Sequence, residues 1–466
     1  MKTNKTVLGI VITDGVGFRN FILSDFIYEA QRKFDEVIIF SCLPDTAYAE
    51  YSLNCRIIEI PIFREHFLTW VFRKTKEIAH LKKFAPNNYG INDNLEINYN
   101  KSRTFRGYIT RMIFRITDWF NSERSILFIE KIQEFSFRFY KNNSLFNKLL
   151  YENPVDILFF THQRPPFIGP LIASAKRKKI KTASFIFSWD NLASKGRMAG
   201  TFDYYLVWSQ LMKSELLHFY ESVKMENITI VGTPQFEPYM LERYTESRER
   251  FSKRFRIQPN IPTILFTCND SSSKNDPIYA EILAKHIQNK KIVANLIIRT
   301  SPAEEPDRFL YLKNKFPFII WNFPEWKLTR EQHPEPWTQR VPTTNDILTL
   351  RSLLAYSDIV INVLSTISLD AFIFGKPVIN PVFGNSDNGM FNDQHFLKYK
   401  HLTHLVESNS SHIVYNESEL IESIQFCLQN PSIRGDARKA FIELEIGHQL
   451  NGTSARIAEC LKTFTR

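Results

Sequence analysis

A carboxylate or an imidazole set just after a β-strand can take a proton from a bound substrate, and the first half of this sequence offers three such groups. They are Asp14 in ITDGVGF, His162 in FFTHQRPP and Asp190 in FSWDNLASKG. Asp14 stands beside Gly15 and Gly17, where the backbone can come close to a ligand. His162 has the side chain whose ordinary pKa lies nearest neutrality. Ranked as bases, Asp14 comes first, His162 second and Asp190 third. The competing expectation is structural: Asp14 and Asp190 cap the helices that follow them, and His162 satisfies loop backbone. In the second half, Ser365 and Thr366 follow an apolar run ending near Val363 and would open a helix whose N–H groups and positive dipole end can hold a phosphate. Asp370 comes one turn later, on a helix face predicted to look into a crevice. A capped helix with a surface carboxylate is the plainer alternative.

These residues need strands to carry them. Short apolar, β-branched runs alternate with longer helical patterns, which is the signature of a parallel α/β architecture. The first series of predicted strands is Val7 to Ile12, Glu36 to Phe40, Arg56 to Ile60, Val155 to Phe160, Thr182 to Phe187, Tyr204 to Trp208 and Ile228 to Val231. The second is Thr263 to Thr267, Ala294 to Arg299, Phe316 to Trp321, Asp358 to Val363 and Pro377 to Pro381. At 466 residues the chain exceeds one ordinary core, so two domains are expected. The boundaries read as 1–235, 236–446 and a tail from 447 to 466 that crosses back onto the first domain as a helix. The hinge falls at GTPQFEPY, where Gly232 permits an unusual turn and Pro234 stops sheet pairing. Positions 63–149 interrupt the first series with helical spacing, such as Ile109, Met112, Ile113, Ile116 and Phe120.

Charge is concentrated in that interruption. The chain carries a net +10, and positions 63–84 and 101–145 hold fifteen basic against six acidic residues, nearly the whole excess. Two readings stay open: helices that cover a sheet with their charges in water, or aromatic, basic helices that dock on an anionic membrane surface. The region shows no nucleic-acid motif, so a nucleic-acid partner is not expected. Five scattered cysteines form neither a disulfide framework nor a zinc motif, which suits a reducing cytoplasm. No run of eighteen apolar residues occurs, so any membrane association is expected to be peripheral, on the inner face.

The stretch NVLSTISLDAFIFGKPVINP, 362–381, resembles the donor-binding segment of GT-B glycosyltransferases. There a Ser or Thr cluster precedes an acidic residue, Gly-x-Pro follows five residues on, and a strand ends in Pro. Here the acid is Asp370 and the Gly is Gly375. VGTP at 231–234 resembles the Val-x-Gly-Asn-Pro hinge of that superfamily. RTSP at 299–302 and NGTSAR at 451–456 resemble segments of its bacterial polymer-forming and glycerophosphotransferase-like branches. The resemblance implies a fold of two facing Rossmann-like domains, with the second holding a nucleotide sugar. It implies donor contacts from Asn269, Asp270 and Ser271 after the first strand of that domain, from Arg299, from Ser365, Thr366 and Asp370, and from the acid-Gln pair Asp393 and Gln394.

The same resemblance bears on mechanism. No Asp-x-Asp triplet occurs, so metal-free transfer is expected, with no cofactor beyond the nucleotide sugar as co-substrate. Many retaining members carry a Glu eight residues before the ribose acid, where this chain has Asn362, and an inverting mechanism follows. That reaction needs a base in the first domain, the role for which Asp14, His162 and Asp190 compete. The expected function is therefore transfer of a sugar to a glycan, glycolipid or other acceptor, with a glycan or lipid-linked acceptor as the expected partner. A glycerophosphotransferase-like polymerase, a nucleotide-sugar epimerase and a non-catalytic carbohydrate- or membrane-binding protein are the alternatives.

Overall fold

The computed structural model describes residues 5–140 and 143–465. The chain divides into two compact units: Met1–Glu237 with Leu328–Val341 and Glu445–Arg466, and Pro238–Lys327 with Pro342–Leu444. The segment Leu328–Val341, which the sequence boundaries assign to the second domain, thus clusters with the first unit.

In the first unit β1 (Val7–Ile12), β2 (Glu36–Ser41), β3 (Arg56–Glu59), β4 (Ile157–Phe160), β5 (Lys181–Phe185), β6 (Tyr204–Val207) and β7 (Ile228–Ile230) form one sheet. Its order is β3-β2-β1-β4-β5-β6-β7, with every neighbouring pair parallel. A parallel sheet is covered on both faces, which is why the inner strands read as unbroken apolar runs. ILFF of β4 is wholly buried, whereas edge strand β3 exposes Arg56 and Glu59. The sheet adds strands in one direction from β1 through β3 and in the other from β4 onward. The order therefore reverses between β1 and β4, and such a reversal opens a crevice beyond the carboxyl ends of the two strands.

The second unit repeats the plan. β8 (Thr263–Thr267), β9 (Asn295–Arg299), β10 (Ile320–Asn322), β13 (Ile359–Ile361), β14 (Val378–Pro381) and β15 (His412–Val414) lie in the order β10-β9-β8-β13-β14-β15, all parallel. β11 (Trp326–Leu328) and β12 (Arg340–Pro342) pair separately. Its core joins Phe266, Leu283, Leu296, Ile361 and Ile424. Here the order reverses between β8 and β13.

The α/β class and the two sheets expected from the alternating pattern are present. β15 was missed because three residues that begin with a half-buried histidine make too short a run to read. Between β3 and β4 the described residues form helices, including Phe67–Phe84, Tyr89–Ile97, Phe105–Ile116, Glu123–Ser136 and Asn143–Glu152. The C-terminal helix Thr453–Phe464 belongs to the first unit. There Phe464 stacks on Tyr204 at 3.9 Å and Ser454 N–H donates to Glu237 at 2.9 Å.

Candidate functional site

Two of the three sequence-ranked bases meet at the crevice of the first unit. β1 runs out at Ile12, and Asp14, in extended backbone, starts the helix Gly15–Phe21 by accepting the Gly17 N–H at 2.8 Å. Its other oxygen accepts the Thr13 hydroxyl at 2.8 Å and lies 2.9 Å from Nδ1 of His162, just past the end of β4. The glycines permit this approach. A Cβ on Gly17 would stand 2.7 Å from the Thr161 hydroxyl, and one on Gly15 only 1.6 Å from the Arg340 carbonyl oxygen.

Both side chains are buried, and the His162 ring is stacked on Phe187 at 3.8 Å with an 11° interplanar angle. Burial pushes the Asp14 carboxyl up, but the bonds from His162, Gly17 and Thr13 outweigh it and hold the group below its ordinary value. Burial lowers the His162 pKa more than Asp14 raises it, with Arg164 adding to the lowering. At neutral pH the pair is therefore a carboxylate and a neutral imidazole. A carboxylate only accepts, so the proton sits on Nδ1 and the lone pair on Nε2. That Nε2 is buried and has no hydrogen-bond partner.

Asp190 acts at longer range. It stands at the start of the short helix Asn191–Ser194 without capping it, pairs with Lys195 at 3.4 Å, and raises the His162 pKa electrostatically. The expectation that Asp190 caps its helix is thus not met, whereas Asp14 does cap. Sequence reasoning passed over Arg164, two residues beyond His162, whose Nε is buried without a partner. It also passed over Glu335, whose carboxyl is raised by burial against the opposing charges of Arg73 and Arg164. A cation two residues after a candidate base was a legible signal for the first. Nothing local pointed to the second.

At the strand-order reversal of the second unit, Asn269, Asp270 and Ser271 follow β8, and Ser365 and Thr366 follow β13. Asn269 bridges the two loops, its Nδ2 donating to the Val363 carbonyl at 2.6 Å. Asp276 accepts the Asn269 N–H at 2.7 Å, and Arg308 donates to the Asn269 and Ser273 carbonyls at 2.7 and 2.5 Å, so the loop is clamped. Burial pushes the Asp276 carboxyl up to about 7. Asp270 and Ser271 are exposed. Past β13, Leu364 adopts a left-handed backbone, φ 43°, a strained conformation for a residue with a Cβ. Asn362, fully buried, holds that turn by accepting the Ser365 N–H at 3.0 Å and bonding Ser368 at 3.1 Å. Ser365 and Thr366 are half-buried, and Thr366 starts the helix Ile367–Ile373 without a side-chain cap.

Three expected donor contacts differ from their sequence reading. Asp370, predicted on an open crevice face, is buried and accepts the hydroxyl of buried Tyr239. Arg299 is an internal cation, donating to both Asp346 oxygens at 2.8 and 2.9 Å. Asp393 is fully buried and accepts from Asn275 at 2.5 Å and from Tyr279, while Gln394 donates to the Val382 carbonyl at 3.1 Å. Asp393 thereby closes the loop around Gly384, where a Cβ would stand 1.6 Å from the Phe391 carbonyl oxygen. In each case the group answers a buried partner, since a polar side chain driven inside must be hydrogen-bonded. Asp370→Ala is accordingly expected to destabilise the unliganded protein by about 1–3 kcal/mol through loss of the buried hydrogen bond from Tyr239. Urea unfolding checks this, and in a Tyr239→Phe background, where that bond is already absent, the same change should cost less.

No family profile and no curated protein matches the chain. Solved structures match over nearly its whole length. A glycosyltransferase from Rickettsia africae ESF-5 matches with a TM-score of 0.53 at 12% identity, covering 99% of both chains. S. aureus MnaA, solved with UDP, matches at 0.54 and 9% identity, over 99% of this chain and 96% of that one. The UDP-GlcNAc 2-epimerase of Neisseria meningitidis, bound to UDP-GlcNAc, matches at 0.50 and 13% identity, over 98% and 100%. Likeness at such identities is likeness of fold. Two parallel α/β units, each with its strand order reversing beside the first strand, thus place this chain on the GT-B fold.

Proposed function

We propose that the protein is a metal-independent, inverting glycosyltransferase in which His162, oriented by Asp14, is the general base and the second unit binds a nucleotide sugar. The observation that carries this reading is the buried Asp14–His162 pair at the β1/β4 crevice, with Nε2 of His162 left without a partner. In the reaction the acceptor hydroxyl oxygen attacks the anomeric carbon as its proton passes to Nε2. The bond from that carbon to the diphosphate breaks, and the nucleoside diphosphate leaves with the bonding pair. Asp14 keeps the reactive tautomer and balances the imidazolium that forms, as a buried carboxylate does in a catalytic triad. The unpartnered Nε of Arg164 supplies a cation beside the base for an anionic substrate group.

A donor panel tests the reading. A nucleotide sugar at about a hundred times its Kd should raise stability by about 2.7 kcal/mol, seen as a thermal shift. No shift with any nucleotide sugar would remove the donor from the proposal. The second reading, a nucleotide-sugar epimerase, draws on the epimerases among the matched structures. Incubation of the protective donor in D2O without acceptor separates the two. Deuterium entering the sugar beside the anomeric carbon marks an epimerase, and acceptor-dependent release of nucleoside diphosphate marks a transferase.

A further inference from the structure

The helices between β3 and β4 sort their charges by sign. On Glu123–Ser136 the carboxylates face inward. Glu123 takes Arg197 at 2.7 and 2.9 Å, Glu130 takes Lys76 at 3.4 Å and the Thr201 N–H at 2.8 Å, and Glu134 takes Lys176 at 2.5 Å. The cations face outward. Arg124, Phe128, Lys131, Phe135 and Arg138 are exposed at alternating steps of four and three residues, and exposed Phe139 follows. Lys141, at the end of the same run, lies outside the described residues.

The neighbouring helix Phe105–Ile116 repeats the pattern. Gly107, Thr110 and Ile113 are buried, while Phe105, Tyr108, Met112 and Ile116 form one exposed face beside exposed Arg106 and Arg115. The turn between the two helices presents Trp119 and Phe120, 86% and 56% exposed. Its carboxylate, Asp118, is the only exposed acidic residue among the described residues from 105 to 139, and it is paired with Lys82. Next to Phe105 an open groove of about 590 Å³ is lined by Trp70, Lys74, Tyr99, Lys101 and Arg106.

Apolar surface on this scale marks an interaction site. Outward charge of one sign, interleaved with aromatic rings, suits a partner that is an apolar layer under a sheet of phosphates. Rings then sit at the headgroup level, and cationic side chains reach the phosphates. We propose that the 105–139 face docks on an anionic lipid surface, with Trp119 and Phe120 entering the headgroup layer and the groove taking a lipid phosphate. Among the described residues no helix is long and apolar enough to cross a membrane, so the contact is peripheral. It stands independently of the chemistry at His162.

Co-sedimentation of the full chain with phosphatidylcholine vesicles, with and without about one-third phosphatidylglycerol, tests this at about 0.05 M and 0.5 M salt. Binding is expected only with the anionic lipid, falling as salt rises, with Trp119 emission shifted to the blue. The triple variant Arg124→Gln, Lys131→Gln, Arg138→Gln should bind about a hundredfold more weakly. Trp119→Ser with Phe120→Ser should bind at least about tenfold more weakly. All five side chains point into solvent, and an unchanged melting temperature confirms that the variants fold. No sedimentation with anionic vesicles at low salt, or equal binding to both lipids, overturns the proposal. So does self-association in light scattering that the Trp119/Phe120 variant abolishes, which would make a second copy the occupant.

Discussion

His162→Ala is expected to slow single-turnover sugar transfer by about two to four decades while donor affinity stays within a factor of about two. The size follows from geometry: the variant removes the one nitrogen at the β1/β4 crevice that has a free lone pair and a carboxylate behind it. The pH profile carries the sign. A base works when neutral, and the folded pKa of His162 lies below the ordinary 6.5 because burial outweighs Asp14. The rate should hold above that pKa and fall as pH drops through it, so the acid limb lies below pH 6.5. In Asp14→Asn the carboxylate that raises the His162 pKa is gone, so the limb should move further down while the rate falls for want of a fixed tautomer. An Asp14→Asn enzyme with an unshifted limb and near wild-type rate would show that the two residues do not act together. Donor protection unchanged in His162→Ala would separate failure of the base from failure of the donor assignment.

Glu130→Ala should be among the most destabilising single changes in the chain, at about 3–5 kcal/mol, read from the urea midpoint. Glu130 is buried beneath the helical layer and binds Lys76, Lys176 at 3.6 Å, and both the N–H and the hydroxyl of Thr201. Removing it strands the buried Lys76 ammonium with the Ala199 carbonyl as its remaining partner, 2.9 Å away. The pair is asymmetric. Against the cost of burial, Lys76, Lys176, Arg197 and Thr201 hold the Glu130 carboxyl down at about 2, whereas burial together with Arg197 and Lys176 pulls the Lys76 ammonium below its ordinary value despite Glu130. Because the folded pKa of Glu130 is depressed, its contribution is present in full above about pH 4.5 and is lost as pH falls toward 2. Replacing both partners by apolar residues, Lys76→Met with Glu130→Leu, should restore most of the stability, since the cost lies in the unpaired charge. A single Glu130→Ala variant as stable as wild type would mean that water reaches Lys76 in the folded state.

Most of the scaffold was legible in the chain. Buried parallel strands need continuous apolar runs, and LGIVI, ILFF and TILFT are such runs within polar surroundings. The helices between β3 and β4 were legible from 3.6-residue spacing, and so was the excess of positive charge. Which side of each helix bears which charge was not, because Arg124, Glu130, Lys131 and Glu134 follow one another without a simple period. Only the cations that reach back from elsewhere, Lys76, Lys176 and Arg197, turn the carboxylates inward. In the second unit the exposure of the motif residues was not legible. Asp370, Arg299 and Asp393 have the residue types that bind ligands, and each meets an internal partner contributed by a distant part of the chain.

The amino-acid sequence by itself determined the local quantities: strand, helix and turn, the alternation that makes two parallel sheets, and the placing of Asp14 and His162 directly after strands. Those depend on neighbours within a few residues, where backbone sterics and side-chain periodicity act. Tertiary structure alone decided that Asp14 and His162, 148 residues apart and ranked singly as rivals, form one hydrogen-bonded pair. The reason is topological. The reversal of strand order brings β1 beside β4, with Val11 in register with Phe160, and so carries the residues after each strand to the same crevice. Burial then does what no local pattern encodes, keeping one side chain charged, the other neutral, and its outer nitrogen without a partner.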